Sequence, residues 1–237
     1  MLSFSLKNTK DDSVPIIHQS LNSPNTTSLT PSNPRAPSHF QPEFHKQPSH
    51  KTKKKMPSNL ALTPLSSLRV SRHLIPAHGL LPNTSIQNKP LLIYHGVFLS
   101  SSASAIEAHL RSVGVVEPQW RYTMYTATHY HSTTHEVLCV SAGRARLCFG
   151  GEANPHRVEP VVEGGDVLVV PAGVAHRLLE DLDGGRFEMV GSYPRGHDWD
   201  MCYGRQGEET KAGDIGRVAW FSRDPVYGDD GPVVKEP

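Results

Sequence analysis

After Gly114 the chain breaks into apolar or alternating runs, most of them about four to eight residues long and separated by glycine, which is strand spacing rather than helix spacing. The runs are 121–131, 136–141, 144–149, 157–162, 166–170, 176–180 and 187–192, with turn signals at Gly143, Gly150-Gly151, Gly164-Gly165 and Gly184-Gly185. Regular strands with turns between them predict an all-β sandwich or barrel. Upstream, Leu91 to Phe98 is continuously apolar and reads as a buried strand. Ser104 to Val113 carries Ala105, Ile106, Ala108 and Leu110 at helical spacing, with Ser102 or Ser104 as cap and Gly114 as stop. It is the one helix the pattern predicts. Residues 58–115 thus read as an arm, a strand and a short helix, 116–193 as the barrel core, and 194–237 as an aperiodic covering segment rich in Gly, Asp and aromatic residues.

Residues 1–57 change this picture only at the N-terminus. They are rich in Ser, Thr, Pro and Asn, hold eight of the twenty prolines, and have no sustained apolar period. Such a stretch buries too little apolar surface to offset its ordering entropy, so a disordered leader is expected. It lacks the apolar core of a secretory signal. Lys51-Thr52-Lys53-Lys54-Lys55 reads as a solvated run rather than a nuclear address, and Met56 directly after it is a candidate translation start. The leader holds eight basic and three acidic residues, against 24 and 23 in the whole chain, so the remainder is mildly acidic. That balance gives no case for nucleic acid or an anionic membrane as partner. No apolar run reaches the roughly 18 residues of a membrane span. Cys139, Cys148 and Cys202 are odd in number, show no framework spacing, and read as buried reduced thiols of a cytoplasmic protein.

Candidate chemistry gathers in two places. In His129-Tyr130-His131-Ser132-Thr133-Thr134-His135-Glu136, strand alternation puts His129 and His131 on one face, and a turn returns the Glu136 carboxylate beside them. A second segment, Gly165 to His176, ends an apolar strand with another imidazole. Three imidazoles and one carboxylate suit a divalent transition metal. By the same alternation His135 points away from the ligand face, which gives it a surface or supporting role rather than ligation. Tyr125, on the approach to His129, and Glu180, four residues past His176, complete the candidates as substrate or supporting residues.

These residues resemble the two motifs of the cupin superfamily. His129, His131, Glu136 and Gly143 fall in step with G-x5-H-x-H-x3-4-E-x6-G, and Gly165, Pro171, Gly173 and His176 with G-x5-P-x-G-x2-H-x3-N. Thr123 stands where the first motif begins with Gly, and Glu180 where the second ends with Asn. Neither departure touches a ligand position. Pro118-Gln119-Trp120-Arg121, Gly191-Ser192-Tyr193-Pro194, Asp198-Trp199-Asp200 and Asp224-Pro225-Val226-Tyr227-Gly228 look like the small single-domain YjlB-like cupins of bacteria and fungi, over about residues 73 to 234. The resemblance implies a single jelly-roll barrel with one short helix before it. It also implies one divalent metal per chain on His129, His131, Glu136 and His176, with iron first and manganese, nickel or zinc as alternatives.

Three functions of different class follow. The segment Thr128 to Glu136 is similar to fungal cupin oxidoreductases found beside polyketide synthases that make salicylaldehyde-type compounds, which implies an oxidoreductase acting on a small oxygenated or aromatic molecule. The alternatives are a redox-silent isomerase or epimerase, with Glu180, His135 or a tyrosine as acid or base, and a non-enzymatic small-molecule-binding module. Neither G-x-G-x-x-G nor G-x-x-x-x-G-K-[ST] occurs, so no nucleotide partner is read from the chain. Pairing of barrel edges into a homodimer is a further expectation from the resemblance.

Overall fold

A computed structural model describes residues 60–100 and 102–236. Expectations for residues 1–57, including the leader and its lysine run, lie outside these. Among the described residues there are nine strands: β1 Arg69–His73, β2 Leu91–His95, β3 Val116–Tyr122, β4 Glu136–Ala142, β5 Arg144–Phe149, β6 Val161–Glu163, β7 Val167–Val170, β8 His176–Asp181 and β9 Glu188–Pro194. Two α-helices join them, α1 Ala103–Val113 and α2 Lys211–Arg217. The strands form a larger sheet in the order β1-β2-β7-β4-β9-β3 and a smaller one in the order β6-β5-β8, every pairing antiparallel. This is the all-β jelly-roll arrangement expected.

Alternation along the strands explains why the larger sheet reads as nearly continuous apolar sequence. In β2, β4 and β7, Ile93, Leu138, Val140, Leu168 and Val170 face the smaller sheet and meet Leu147, Phe149 and Leu178. Their neighbours Leu92, Tyr94, Val137, Cys139, Val167 and Val169 face the other way, under Ile106 and Leu110 of α1 and Phe221, Val226 and Val233 of the C-terminal segment. A sheet covered on both faces has no polar side to alternate with. β5 is covered on one face only and keeps the exposed–buried rhythm, with Arg144 and Arg146 outward.

α1 begins as its sequence directs. The Ser102 side chain accepts from the Ala105 amide at 3.3 Å, and Gly114 closes the helix at φ 78° with its own amide on the Leu110 carbonyl. Four differences from the sequence reading stand out. Arg69–His73, inside the expected arm, is an edge strand on β2. The strand read over 121–131 runs instead from Val116 to Tyr122, and the one read over 157–162 is Val161–Glu163. α2 was not expected, since Lys211–Arg217 contains two glycines and one buried residue, Ile215. Each depends on partners distant in sequence, which a local period does not report.

Candidate metal centre

The two motif segments meet backbone to backbone before their side chains meet. His129 and His176 pair as an antiparallel bridge, with N–H to O=C bonds of 3.2 and 2.8 Å in the two directions. The Gly173 amide donates to the His131 carbonyl at 2.8 Å. Gly173 sits at φ +89°, and a Cβ there would come 3.1 Å from both the Asn83 carbonyl oxygen and Ile215 Cδ1, so motif glycine is needed for conformation and for space. The imidazoles of His129, His131 and His176 consequently converge, each offering a ligand atom within 4.8 Å of the others. All three residues are buried.

Their tautomers follow from the backbone. Nδ1 of His129 lies 2.9 Å from the Ala127 carbonyl, Nδ1 of His131 2.5 Å from that of Asp200, and Nδ1 of His176 3.0 Å from that of Val174. A carbonyl only accepts, so each Nδ1 carries the proton and each Nε2 keeps its lone pair. Glu136 enters from the first residue of β4. Its Oε2 is buried without a hydrogen-bond partner, 3.2 Å from Nε2 of His176 and 3.6 Å from Nε2 of His131. Lone pairs therefore face an anionic oxygen with no hydrogen between them, an arrangement a cation would relieve. The donor set, three neutral imidazoles beside one carboxylate, fits a divalent transition metal.

Electrostatics favour a neutral His129 and an ionised Glu136, and they draw positive charge toward His131. Burial, then the neighbouring His176 and His131, push His129 down to about 3, so it stays neutral. For His131 burial opposes the charge, but the nearby Glu136 outweighs it and raises the pKa. Burial likewise opposes ionisation of Glu136, and the two imidazoles overcome this to hold its carboxyl well below the usual range.

The C-terminal segment braces this centre. Asp200, whose carbonyl orients His131, accepts from the Ser132 amide at 2.7 Å and hydroxyl at 2.6 Å, and from Lys211 Nζ at 3.0 Å. A pocket of about 400 Å³, counted to its open mouth, lies over the centre. Tyr125 lines it, its ring edge-on to that of His129 at 5.6 Å. So does Trp199, from the expected covering segment, with its ring 5.8 Å from that of His131.

His135 and Glu180 lie elsewhere. His135 is fully buried on the outer side of the larger sheet, against Trp220 and Phe221, so the surface role is corrected. Its Nδ1 accepts from the Ala172 amide at 2.9 Å and its Nε2 donates to the Ala219 carbonyl at 3.2 Å. Glu180 is exposed on the smaller sheet and pairs with Arg146 at 2.9 Å. The strand β8 carries it outward, away from His176, which removes it from the substrate candidates. Trp120, Tyr193 and Met201 line the pocket and were not singled out as site residues. The sequence signals for Trp120 and Tyr193 were the family-like segments 118–121 and 191–194 and, within the second, Gly191 inside a strand, a mark of close approach by another group.

His135 makes acid stability testable. Burial pushes its pKa down to about 4 from 6.5, so the unfolded chain binds more protons across that interval. Stability tied to the neutral ring is complete above about pH 6.5 and is lost progressively toward pH 4. His135→Gln keeps an acceptor and a donor without titrating. Urea unfolding from pH 7 to 4 is expected to show a shallower decline for this variant than for the wild type; parallel curves would refute the assignment.

Comparisons place the chain among known proteins. A family model described as Cupin matches residues 124–181, the stretch holding all four candidate ligands. The uncharacterized protein YjlB of Bacillus subtilis (strain 168) is 29% identical over 173 residues, which cover 69% of this chain and 93% of that protein. Among solved structures, procruciferin, an 11S globulin of Brassica napus, aligns over 62% of this chain and 29% of its own, at 14% identity and a TM-score of 0.28. A mutant of Bacillus subtilis oxalate decarboxylase OxdC aligns over 57% and 27%, at 13% identity and the same score. This chain thus spans under a third of the length of those solved proteins. No helix among the described residues is long and apolar enough to cross a membrane. The barrel that carries the three converging imidazoles thus holds the stretch, residues 124–181, that is similar to the Cupin family.

Proposed function

We propose that this chain is a metal-dependent cupin oxidoreductase acting on a small oxygenated or aromatic molecule. The observation that carries the reading is the unpartnered Glu136 Oε2 facing Nε2 of His131 and His176 at the floor of an aromatic-walled pocket. His129, His131 and His176 would hold one divalent ion, with Glu136 as the fourth ligand. A redox-active ion held there, iron first, would supply a path for electrons from the oxygenated substrate to dioxygen, which is reduced as the substrate is oxidised.

The residues around that position suit a flat substrate with an oxygen at one end. Tyr125 and Trp199 offer ring faces and edges, while Met124, Leu138 and Met201 exclude water from the floor. Burial raises the pKa of Tyr125, which keeps its phenol neutral. Thr123, at the position where the family motif has Gly, brings a hydroxyl that is buried without a partner and lines the pocket. It suits a hydrogen bond to a substrate oxygen. The isomerase alternative loses support here, because its two non-tyrosine acid–base candidates, Glu180 and His135, are outside the pocket. The similarity to fungal enzymes of aromatic polyketide clusters supports a hydroxylated aromatic aldehyde or alcohol as the first compounds to test.

Anaerobic purification with elemental analysis, followed by oxygen uptake against such a panel, tests the reading. Iron near one per chain with substrate-dependent oxygen consumption is expected. Zinc, or iron with no oxygen response to any compound, would move the assignment to redox-silent or binding roles.

A further inference from the structure

Tyr193 is the pocket residue whose hydrogen bonds leave least freedom. Its ring is buried in β9, and its hydroxyl lies 2.6 Å from Glu136 Oε1 and 3.0 Å from Trp120 Nε1. An indole N–H only donates, so Trp120 occupies an acceptor site of the phenol oxygen, and the phenol hydrogen is directed to the carboxylate, which only accepts. The direction of the whole chain, Trp120 to Tyr193 to Glu136, is thereby set. Of the two Glu136 oxygens, Oε1 receives this hydrogen bond and Oε2 receives none.

Trp120 holds its place because β9 makes room for it. Trp120 lies opposite Gly191 across the β3–β9 pair, and a Cβ on Gly191 would fall 1.9 Å from the indole Cε2. Gly191 is two residues before Tyr193 on the same strand face, so one short segment supplies both the seat for the indole and the phenol it addresses. On its other side the Tyr193 ring stacks on Trp199 at 6.2 Å and 23°. Neither the ring nor its hydroxyl is placed to swing.

We infer that Tyr193 is a positioning residue that holds Glu136 to a single donor oxygen, with Trp120 and Gly191 fixing Tyr193 in turn. This inference rests on the reading of Glu136 as the fourth metal ligand. A carboxylate free to offer either or both oxygens changes the coordination number and widens the range of ions accepted. With Oε1 engaged by Tyr193, the centre presents Oε2 alone. The carboxylate is also turned so that Oε2 faces the imidazole nitrogens, which places an oriented ligand without further cost on binding.

Cobalt(II) is the probe, because its visible absorption reports coordination number without turnover. The full chain is titrated with cobalt against a chromophoric chelator, for wild type, Tyr193→Phe and Trp120→Phe, with circular dichroism to compare folding. Tyr193→Phe keeps the ring and its stacking and removes only the hydroxyl. Cobalt affinity is expected to fall by about 10- to 100-fold, with an altered visible spectrum. Trp120→Phe leaves the phenol but removes its orienting donor, and a smaller change in the same direction is expected. It also serves as the test should Tyr193→Phe not fold. Wild-type binding with unchanged affinity and spectrum in the variants overturns this inference alone. A wild-type chain that takes up no cobalt overturns the metal reading and this inference with it.

Discussion

His176→Ala is expected to abolish tight metal binding, from about one ion per chain to a residual occupancy near zero after dialysis against a chelator. Nε2 of His176 lies nearest the unpartnered Glu136 oxygen, and the His176 backbone is locked to that of His129, so no other imidazole can move into the gap. The main core of the barrel, around Leu138, Leu147 and Leu168, is built of apolar side chains and does not include this one. Circular dichroism should therefore be unchanged while elemental analysis shows the loss. His135→Gln is the matched control, since His135 faces away from the centre, and it should keep full stoichiometry. Undiminished metal in the His176 variant would refute the ligand assignment.

Asp224→Ala is expected to give the largest loss of stability. This carboxylate is fully buried beneath the C-terminal segment and collects four hydrogen bonds. Its Oδ1 accepts from the amides of Val226 and Tyr227 at 2.8 and 2.9 Å, and its Oδ2 from the Tyr94 hydroxyl at 2.8 Å and the Val233 amide at 3.2 Å. Alanine would leave all four donors without an acceptor, each costing about 1 kcal/mol or more once desolvated. A loss of roughly 3 to 5 kcal/mol follows, or about 6 to 20 °C in Tm for a domain of this size. Asp224→Asn separates the causes. Its carbonyl oxygen can serve one pair of donors, but its amide cannot accept from the other pair, so an intermediate loss is expected by thermal unfolding. A shift under about 2 °C for the alanine variant would show that these bonds are replaced by water.

The reach of sequence reading differs from element to element. β4 and β7 were legible because their runs are short, apolar and bounded by Gly143 and Gly165. α1 was legible from Ser102 and Gly114 because caps act within a few residues of the backbone they serve. Arg69–His73 was not, because an edge strand with two arginines has no apolar signal of its own and exists through its pairing with β2. The metal candidates were legible because motif spacing encodes them. Glu180 was misplaced because a distance of four residues along β8 does not say which face or end of the barrel it reaches.

By itself the sequence determined the all-β class and the turns that close its strands, and it named His129, His131, Glu136 and His176 as candidate donors, since each of these is written in local period and spacing; the three imidazoles converge in the structure. Only the tertiary structure decided which nitrogen each imidazole presents, because carbonyls of Ala127, Asp200 and Val174 make that choice, and Asp200 is 69 residues from His131. It alone also decided that Tyr193 and Trp120 stand behind Glu136. Those contacts cross 57 and 73 residues of chain, and side chains so far apart meet through sheet register, which no local pattern specifies.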